Sequence, residues 1–232
     1  MKTVQLFSIN IFIVILILTG CSEDASKSAS QTAGSTESNI GLIDDARITN
    51  AESEPGNWLA YGRDYEEQRF SPLTQINRKT VDRLGLAFSL DLGSNDALES
   101  TPIVVDNTMF FTSTFSIVHA VDAKTGIEKW KYDPSVPRDY MRRACCGPIN
   151  RGVAVYQGKV YVGTLDGRLI AIDAGTGKKV WEVNTIIDTE RNYSITGAPR
   201  AAKGKIFIGN GGAEFGVRGY VTAYDSETGE EV

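Results

Sequence analysis

The feature that most limits what this chain can become is a frame that occurs three times without gaps. It reads "AVDAKTGIEKW" at 120–130, "AIDAGTGKKVW" at 171–181 and "AYDSETGEEV" at 223–232. Its aspartates, Asp122, Asp173 and Asp225, lie 51 and 52 residues apart. The shared A-x-D-x-x-T-G-x-x-x-W spells a strand ending at Asp, a turn through Thr-Gly and a second strand leading to a Trp. Gly126, Gly177 and Gly229 supply a turn conformation that other residues avoid. A further β-like run precedes each frame: "MFFTS" at 109, "VYVGT" at 160 and "IFIGN" at 206. Each run follows a turn pair, namely Asn107-Thr108, Gly158-Lys159 and Gly204-Lys205.

Several short strands in a period of about 50 residues are the signature of propeller blades. An open solenoid or sandwich has the same periodicity but no use for a regularly spaced Trp, which in a propeller docks each blade on the next. The expected fold is all-β, a β-propeller of four-stranded blades with tryptophan-docking repeats. The chain holds material for about three blades and an opening strand, whereas closed propellers typically have 4–8. The third frame stops one residue before its Trp is due, so the chain reads as truncated at its C-terminus. Uncovered strand edges then predict poor stability alone. In this scheme Trp130 and Trp181 are docking residues, the repeating aspartates are turn residues, and His119 is a structural residue inside a strand.

The period is broken in one place. From run to frame alanine is 11 residues in the first two units and 17 in the third. The six extra residues fall in "GNGGAEFGVRGY" (209–220). Such a glycine-rich insertion brings backbone close to a ligand and presents one hard oxygen donor, Glu214. A decorated surface loop is the plainer alternative.

Residues 1–20 read as an export signal: Lys2, an apolar run from Leu6 to Leu18, then small residues. That run is short of the roughly 20 apolar residues of a membrane span. "LTGC" resembles the bacterial lipoprotein signal, which makes Cys21 a lipidation site and places the chain in the periplasm. Ser22 favours anchoring to the outer membrane, and several acyl chains on one cysteine hold stably. Residues 21–39, almost free of bulky apolar side chains, read as a flexible tether. The folded part is 40–232. The whole chain's net charge of −5 and the lack of a basic stripe exclude nucleic acid as a partner.

With Cys21 lipidated, only the adjacent Cys145 and Cys146 in "RRACCGPINRG" remain. In an oxidising compartment they pair with each other, pair between chains or stay free. Their spacing does not suit zinc. Arg142 and Arg143 read as solvated surface.

From "NWLAYGRDYEEQRFSPLTQIN" (57–77) to Val232 the chain resembles the N-terminal part of the PQQ-dependent (quinoprotein) alcohol dehydrogenases of the methanol and ethanol dehydrogenase type. "ACCGPINRG", "NGGAEFGVRGY" and the tryptophan frames carry the resemblance. It implies an eight-bladed propeller in the full-length family, holding pyrroloquinoline quinone (PQQ) and Ca²⁺, with a lanthanide as the other candidate metal. It implies a disulfide between Cys145 and Cys146 packed against the quinone, and Arg151 paired with a PQQ carboxylate. Glu99 and Thr196 match further cofactor contacts. Gly211, Gly212 and Ala213 match backbone contacts, although some members have serine at the position of Gly211. Glu214 matches a metal ligand. The implied activity is oxidation of a small primary alcohol to an aldehyde by hydride transfer to PQQ, with the metal as Lewis acid. Electrons then pass to cytochrome c or another periplasmic acceptor. The family's catalytic aspartate, a second metal ligand and a quinone-stacking Trp are expected beyond Val232, so the chain alone is expected to be inactive.

Two other readings use the same repeats. A non-enzymatic outer-membrane lipoprotein propeller, a scaffold of the β-barrel assembly type, accounts for the anchor. It requires neither adjacent cysteines, nor an arginine five residues on, nor a glycine-rich insertion with a carboxylate. A sugar dehydrogenase using PQQ lacks the disulfide ring.

Overall fold

The computed structural model describes residues 40–232. The signal, the Cys21 lipidation site and the tether lie outside the described residues. Among those described, no helix is long and apolar enough to cross a membrane.

Three antiparallel sheets follow one another along the chain. The first holds β1 (Ile103–Val105), β2 (Thr108–Thr112), β3 (Val118–Asp122) and β4 (Glu128–Tyr132) in that order. The second repeats it with β5 (Ala154–Tyr156), β6 (Lys159–Gly163), β7 (Arg168–Asp173) and β8 (Lys179–Asn184). The third holds β9 (Arg200–Ala202), β10 (Lys205–Gly209) and β11 (Val221–Asp225), with Glu231 bridged to Tyr224 where a fourth strand would lie. These are the blades that the period predicts.

The tight turns sit one residue earlier than the sequence reading placed them. They are Asp106-Asn107, Gln157-Gly158 and Lys203-Gly204, with φ between 49° and 75° at all six residues. Two consecutive left-handed residues make the hairpin turn whose twist matches that of the flanking strands. The pairings Val105↔Thr108, Tyr156↔Lys159 and Ala202↔Lys205 close directly around them.

The frame has a physical reading at every conserved place in the repeat. Asp122 Oδ1 accepts from Thr125 N and Thr125 Oγ1, both at 2.9 Å, and Asp173 and Asp225 repeat the pattern with Thr176 and Thr228. These bonds, the Thr125 hydroxyl first, hold the Asp122 carboxyl below its ordinary range. Trp130 then crosses to the next blade: its Nε1 donates to Ala174 O at 2.9 Å and its ring lies over Gly177. Trp181 does the same to Ser226 O at 3.2 Å and to Gly229. Phe88, ahead of β1, occupies the matching place on Gly126. Gly177 therefore meets two demands at once, a φ of 71° and a ring that leaves no room for a Cβ, which would fall 2.7 Å from Trp130 Cδ2. Gly177→Ala is expected to cost about 2 kcal/mol or more, read as a lowered midpoint in urea unfolding. An unchanged midpoint would show that blade docking does not depend on this contact.

One apolar core runs through all three blades, with Phe110, Val160, Tyr161, Ile170, Ile172 and Ile206 at its centre. A short helix, α1 (Asp45–Thr49), ties the N-terminal segment across it. The Asp45 carboxylate accepts from Tyr65 OH at 2.5 Å, Tyr156 OH at 2.7 Å and Lys203 N at 2.8 Å.

His119 is 2% exposed on β3. Its Nε2 bonds Ser113 Oγ at 2.8 Å, its Nδ1 bonds Glu128 Oε1 at 2.7 Å, and Phe111 stacks on its ring. The order of groups mimics a hydrolase triad, but Ser113 is itself buried at 4%, so the set is a strand fastener. Burial holds His119 below its ordinary pKa despite Glu128, and Lys131 on β4 adds to the lowering. A base whose pKa is lower folded than unfolded contributes full stability above about pH 6.5, and that stability is lost as pH falls toward the folded value. Stability is expected to decline as pH falls below about 6.5, with a slope that stays below about 1.4 kcal/mol per pH unit. Urea unfolding of His119→Gln should lack this part of the slope. Identical slopes would assign the acid sensitivity to other groups.

Candidate functional site

Antiparallel order within the blades sends the tight turns to one end and the longer connections to the other. Asp122, Asp173 and Asp225 lie at the tight-turn end, which removes them from any ligand site at the other. Every residue singled out above for a ligand lies at the end with the long connections.

Glu99, Arg151 and Thr196 occupy one equivalent place in three successive blades, three or four residues ahead of the innermost strands β1, β5 and β9. The approaches to those strands run side by side. Thr101 and Gly152 form a parallel bridge, Thr101 N donates to Arg151 O at 3.1 Å, and Arg151 N donates to Thr196 O at 2.9 Å. The close approach needs Gly152, whose φ is 124° and whose Cβ would sit 2.8 Å from Thr101 O. As a result three chemically different side chains converge. Arg151 Nη2 is 3.0 Å from Glu99 Oε2, and Arg151 Nη1 donates to Thr196 Oγ1 at 2.6 Å. The Arg151 and Glu99 side chains remain 39% and 40% exposed, so an incoming ligand can reach both.

The cysteine pair lies in the crossover from β4 to β5, after a 3-10 helix at Arg138–Arg143. That helix is pinned to the crossover of the next blade. Tyr140 OH donates to Tyr193 O at 3.0 Å, and Arg143 Nη1 donates to Thr189 O at 2.5 Å and Arg191 O at 3.1 Å. Arg143 is thus a fastener and not solvated surface, while Arg142 is exposed as expected. Cys145 and Cys146 are both exposed and free. Closing the disulfide that the resemblance implies would require distortion of the peptide between them. Hydrogen bonds to Cys146 and then to Glu214 push the Cys145 thiol up to about 11, which keeps it protonated at neutral pH.

The insertion connects β10 to β11. Gly211 N donates to Ser194 O at 2.9 Å. A Cβ at Gly211 would meet only Ser194 O at 3.9 Å, so a serine fits there. Gly212 is different: it is buried, with a φ of 104°, and a Cβ would fall 2.8 Å from Asn192 O. The turn Ala213–Phe215 then presents Ala213 and Glu214 to solvent.

Sequence reasoning missed the element that organises these parts, the 189–196 stretch. Its backbone carbonyls receive Tyr140, Arg143, Gly211 and Arg151, and Thr196 is its only residue singled out beforehand. The donor set suits an acidic, planar ligand: a guanidinium, a hydroxyl, the backbone N–H of Ala213 and a polarizable thiol pair. For a hard cation the fit is partial. Ca²⁺ takes 6–8 oxygens, and among the described residues no group of three or more His, Cys, Asp or Glu stands together. Glu214 alone would need further ligands, some from the cofactor. A separate cleft of about 220 Å³, lined by Leu59, Tyr61, Val155 and Ala201 among others, contains none of the expected site residues.

Residues 58–232 match the PQQ family described as the β-propeller domain of glucose/ethanol/alcohol dehydrogenases. The quinohemoprotein alcohol dehydrogenase ADH-IIG of Pseudomonas putida is 59% identical over 189 residues, covering 82% of this chain and 26% of that protein. The solved structure of ADHIIG from Pseudomonas putida HK5 superposes with a TM-score of 0.79 at 58% identity, covering 83% of this chain and 28% of that one. A 1-butanol dehydrogenase (cytochrome c) of Thauera butanivorans is 56% identical over 76% of this chain and 26% of its own length. A europium-containing methanol dehydrogenase gives a TM-score of 0.76 at 42% identity, covering 81% and 33%. The chain spans about a quarter of the length of the curated relatives it matches.

Proposed function

The chain belongs to the PQQ-dependent glucose/ethanol/alcohol dehydrogenase propeller family, and from that membership we propose that it forms the cofactor-holding part of a quinoprotein alcohol dehydrogenase. The observation that carries this reading is the convergence of Glu99, Arg151 and Thr196 at the end of the blades that also carries the cysteine crossover and the glycine-rich insertion. Arg151 would pair with a carboxylate of the acidic quinone, and Thr196 would hold the guanidinium in place for it. Gly212 would let the main chain approach, with Ala213 offering its backbone N–H. Cys145 and Cys146, closed as a disulfide in an oxidising compartment, would form an apolar plate against one quinone face. Glu214 would give the metal one carboxylate ligand, Ca²⁺ or a lanthanide. Bound there, the quinone supplies the hydride acceptor for oxidation of a primary alcohol to an aldehyde, with a cytochrome as the onward electron acceptor. The leader further supports export, lipidation at Cys21 and a periplasmic, membrane-anchored location, to be checked by palmitate labelling of wild type and Cys21→Ser.

The test is retention of PQQ by the purified chain through gel filtration with Ca²⁺ present. Retention at about one per chain, without alcohol-dependent dye reduction, is the expected result. Failure to retain PQQ would overturn the assignment. Dye reduction would show that the chain also supplies the base for the alcohol proton.

A further inference from the structure

Asn150, immediately before Arg151, is 2% exposed and carries four side-chain hydrogen bonds. Its Nδ2 donates to Gly163 O at 2.8 Å and Ser116 Oγ at 3.0 Å. Its Oδ1 accepts from Thr112 Oγ1 and from Gly152 N, both at 3.0 Å. The amide cannot be flipped, because Gly163 O only accepts and Gly152 N only donates.

The network continues to the other member of the ion pair. Ser100 Oγ accepts from Thr112 N at 2.9 Å and lies 3.1 Å from Thr112 Oγ1. Thr112 Oγ1 is placed to donate to Ser100 Oγ at 3.1 Å, Asn150 Oδ1 at 3.0 Å and Asn150 O at 3.2 Å, so its single proton is shared among them. A polar chain, buried at Thr112 and Asn150, thus joins the residue before Arg151 to the residue after Glu99. Two further bonds clamp the Arg151 main chain between its neighbours, from Arg151 N to Thr196 O and from Thr101 N to Arg151 O. Thr112 and Asn150 are buried and Ser100 is half-buried, whereas the Glu99–Arg151 pair is open, so the interior can fix the separation of two side chains that solvent alone would not hold.

We propose that Asn150 is a positioning residue that, through Thr112 and Ser100, sets the Glu99–Arg151 spacing for the cofactor. This rests on the PQQ reading above, and its test separates the two. PQQ titrations of the full chain, followed by tryptophan quenching, would compare Asn150→Ala, Thr112→Val and Thr112→Ser, each alone and with Arg151→Ala. Losses of about tenfold for Asn150→Ala and severalfold for Thr112→Val are expected, with Thr112→Ser close to wild type. Neither loss should appear once Arg151 is gone. Losses that multiply with Arg151→Ala, or a folded Thr112→Val that binds as wild type does, would overturn the proposal.

A second measurement needs no cofactor. The ¹H–¹⁵N signal of the Arg151 guanidinium should be resolved in the wild type and move toward the free-arginine position in Thr112→Val and Asn150→Ala. If no chain binds PQQ, the cofactor reading fails and this signal still decides for or against Asn150. If Asn150→Ala does not fold, the Thr112 pair decides it.

Discussion

Replacing Arg151 with alanine is expected to weaken PQQ binding by about a hundredfold to a thousandfold, on the order of 3–4 kcal/mol. Two effects of the same sign add. A charge-assisted bond to a cofactor carboxylate is lost, worth about 1.5–3 kcal/mol. Glu99, 3.0 Å from the guanidinium, then faces the acidic ligand with its charge unbalanced. Arg151→Lys keeps the charge but loses the fork that reaches Glu99 and Thr196 together, so an intermediate loss of about tenfold is expected. Stability should hardly change, because an ion pair about 40% exposed contributes roughly 1 kcal/mol or less. Affinity would come from titration of the chain with PQQ, and stability from urea unfolding of the same samples. A loss under tenfold for Arg151→Ala would remove the arginine from the cofactor's reach. An equal loss of affinity and stability would make it a structural residue.

The architecture was legible because its determinants are local. The Asp-to-Thr bonds and the Thr-Gly turn lie within four residues of each other, and the Trp follows at a fixed distance. A regular period therefore survives in the sequence. The site was less legible for a reason visible in Glu99, Arg151 and Thr196. They precede Asp122, Asp173 and Asp225 by 23, 22 and 29 residues, and the third spacing contains the six-residue insertion. The place is repeated but the chemistry is not, so self-similarity hides it. The resemblance named the three residues, and only the parallel inner strands explain why they meet. Asn150 and the 189–196 stretch were missed for a different reason. The stretch acts through carbonyls that any residue carries. Asn150 sits among loop residues, and its burial is decided by Ser116 and Gly163, distant in sequence. Arg143 was misjudged on the same ground, since its acceptors lie 46 and 48 residues away.

Trp130→Ala is expected to cost about 3 kcal/mol and to uncouple the first blade from the second. The indole is only partly buried, yet it reaches across from the first blade to the second. Its ring covers Gly177, it packs against Phe110 at 5.8 Å between centroids, and its Nε1 bonds Ala174 O. Trp130→Phe keeps much of the apolar contact and should lose about 1 kcal/mol for the N–H bond, leaving Ala174 O unpaired. In stacked repeats stability is a sum of unit and interface terms, so weakening one interface lets the terminal unit open first. Hydrogen exchange of β2 and β3 should accelerate in Trp130→Ala while β6 and β7 stay protected. The site is built across that same interface, with Glu99 ahead of β1 and Arg151 ahead of β5. PQQ affinity should therefore fall although Trp130 is not among the groups that converge at the site. Uniform acceleration of exchange in all three blades would show that the chain opens as one unit. In that case the tryptophan stabilises the whole fold and not the junction on which the site depends.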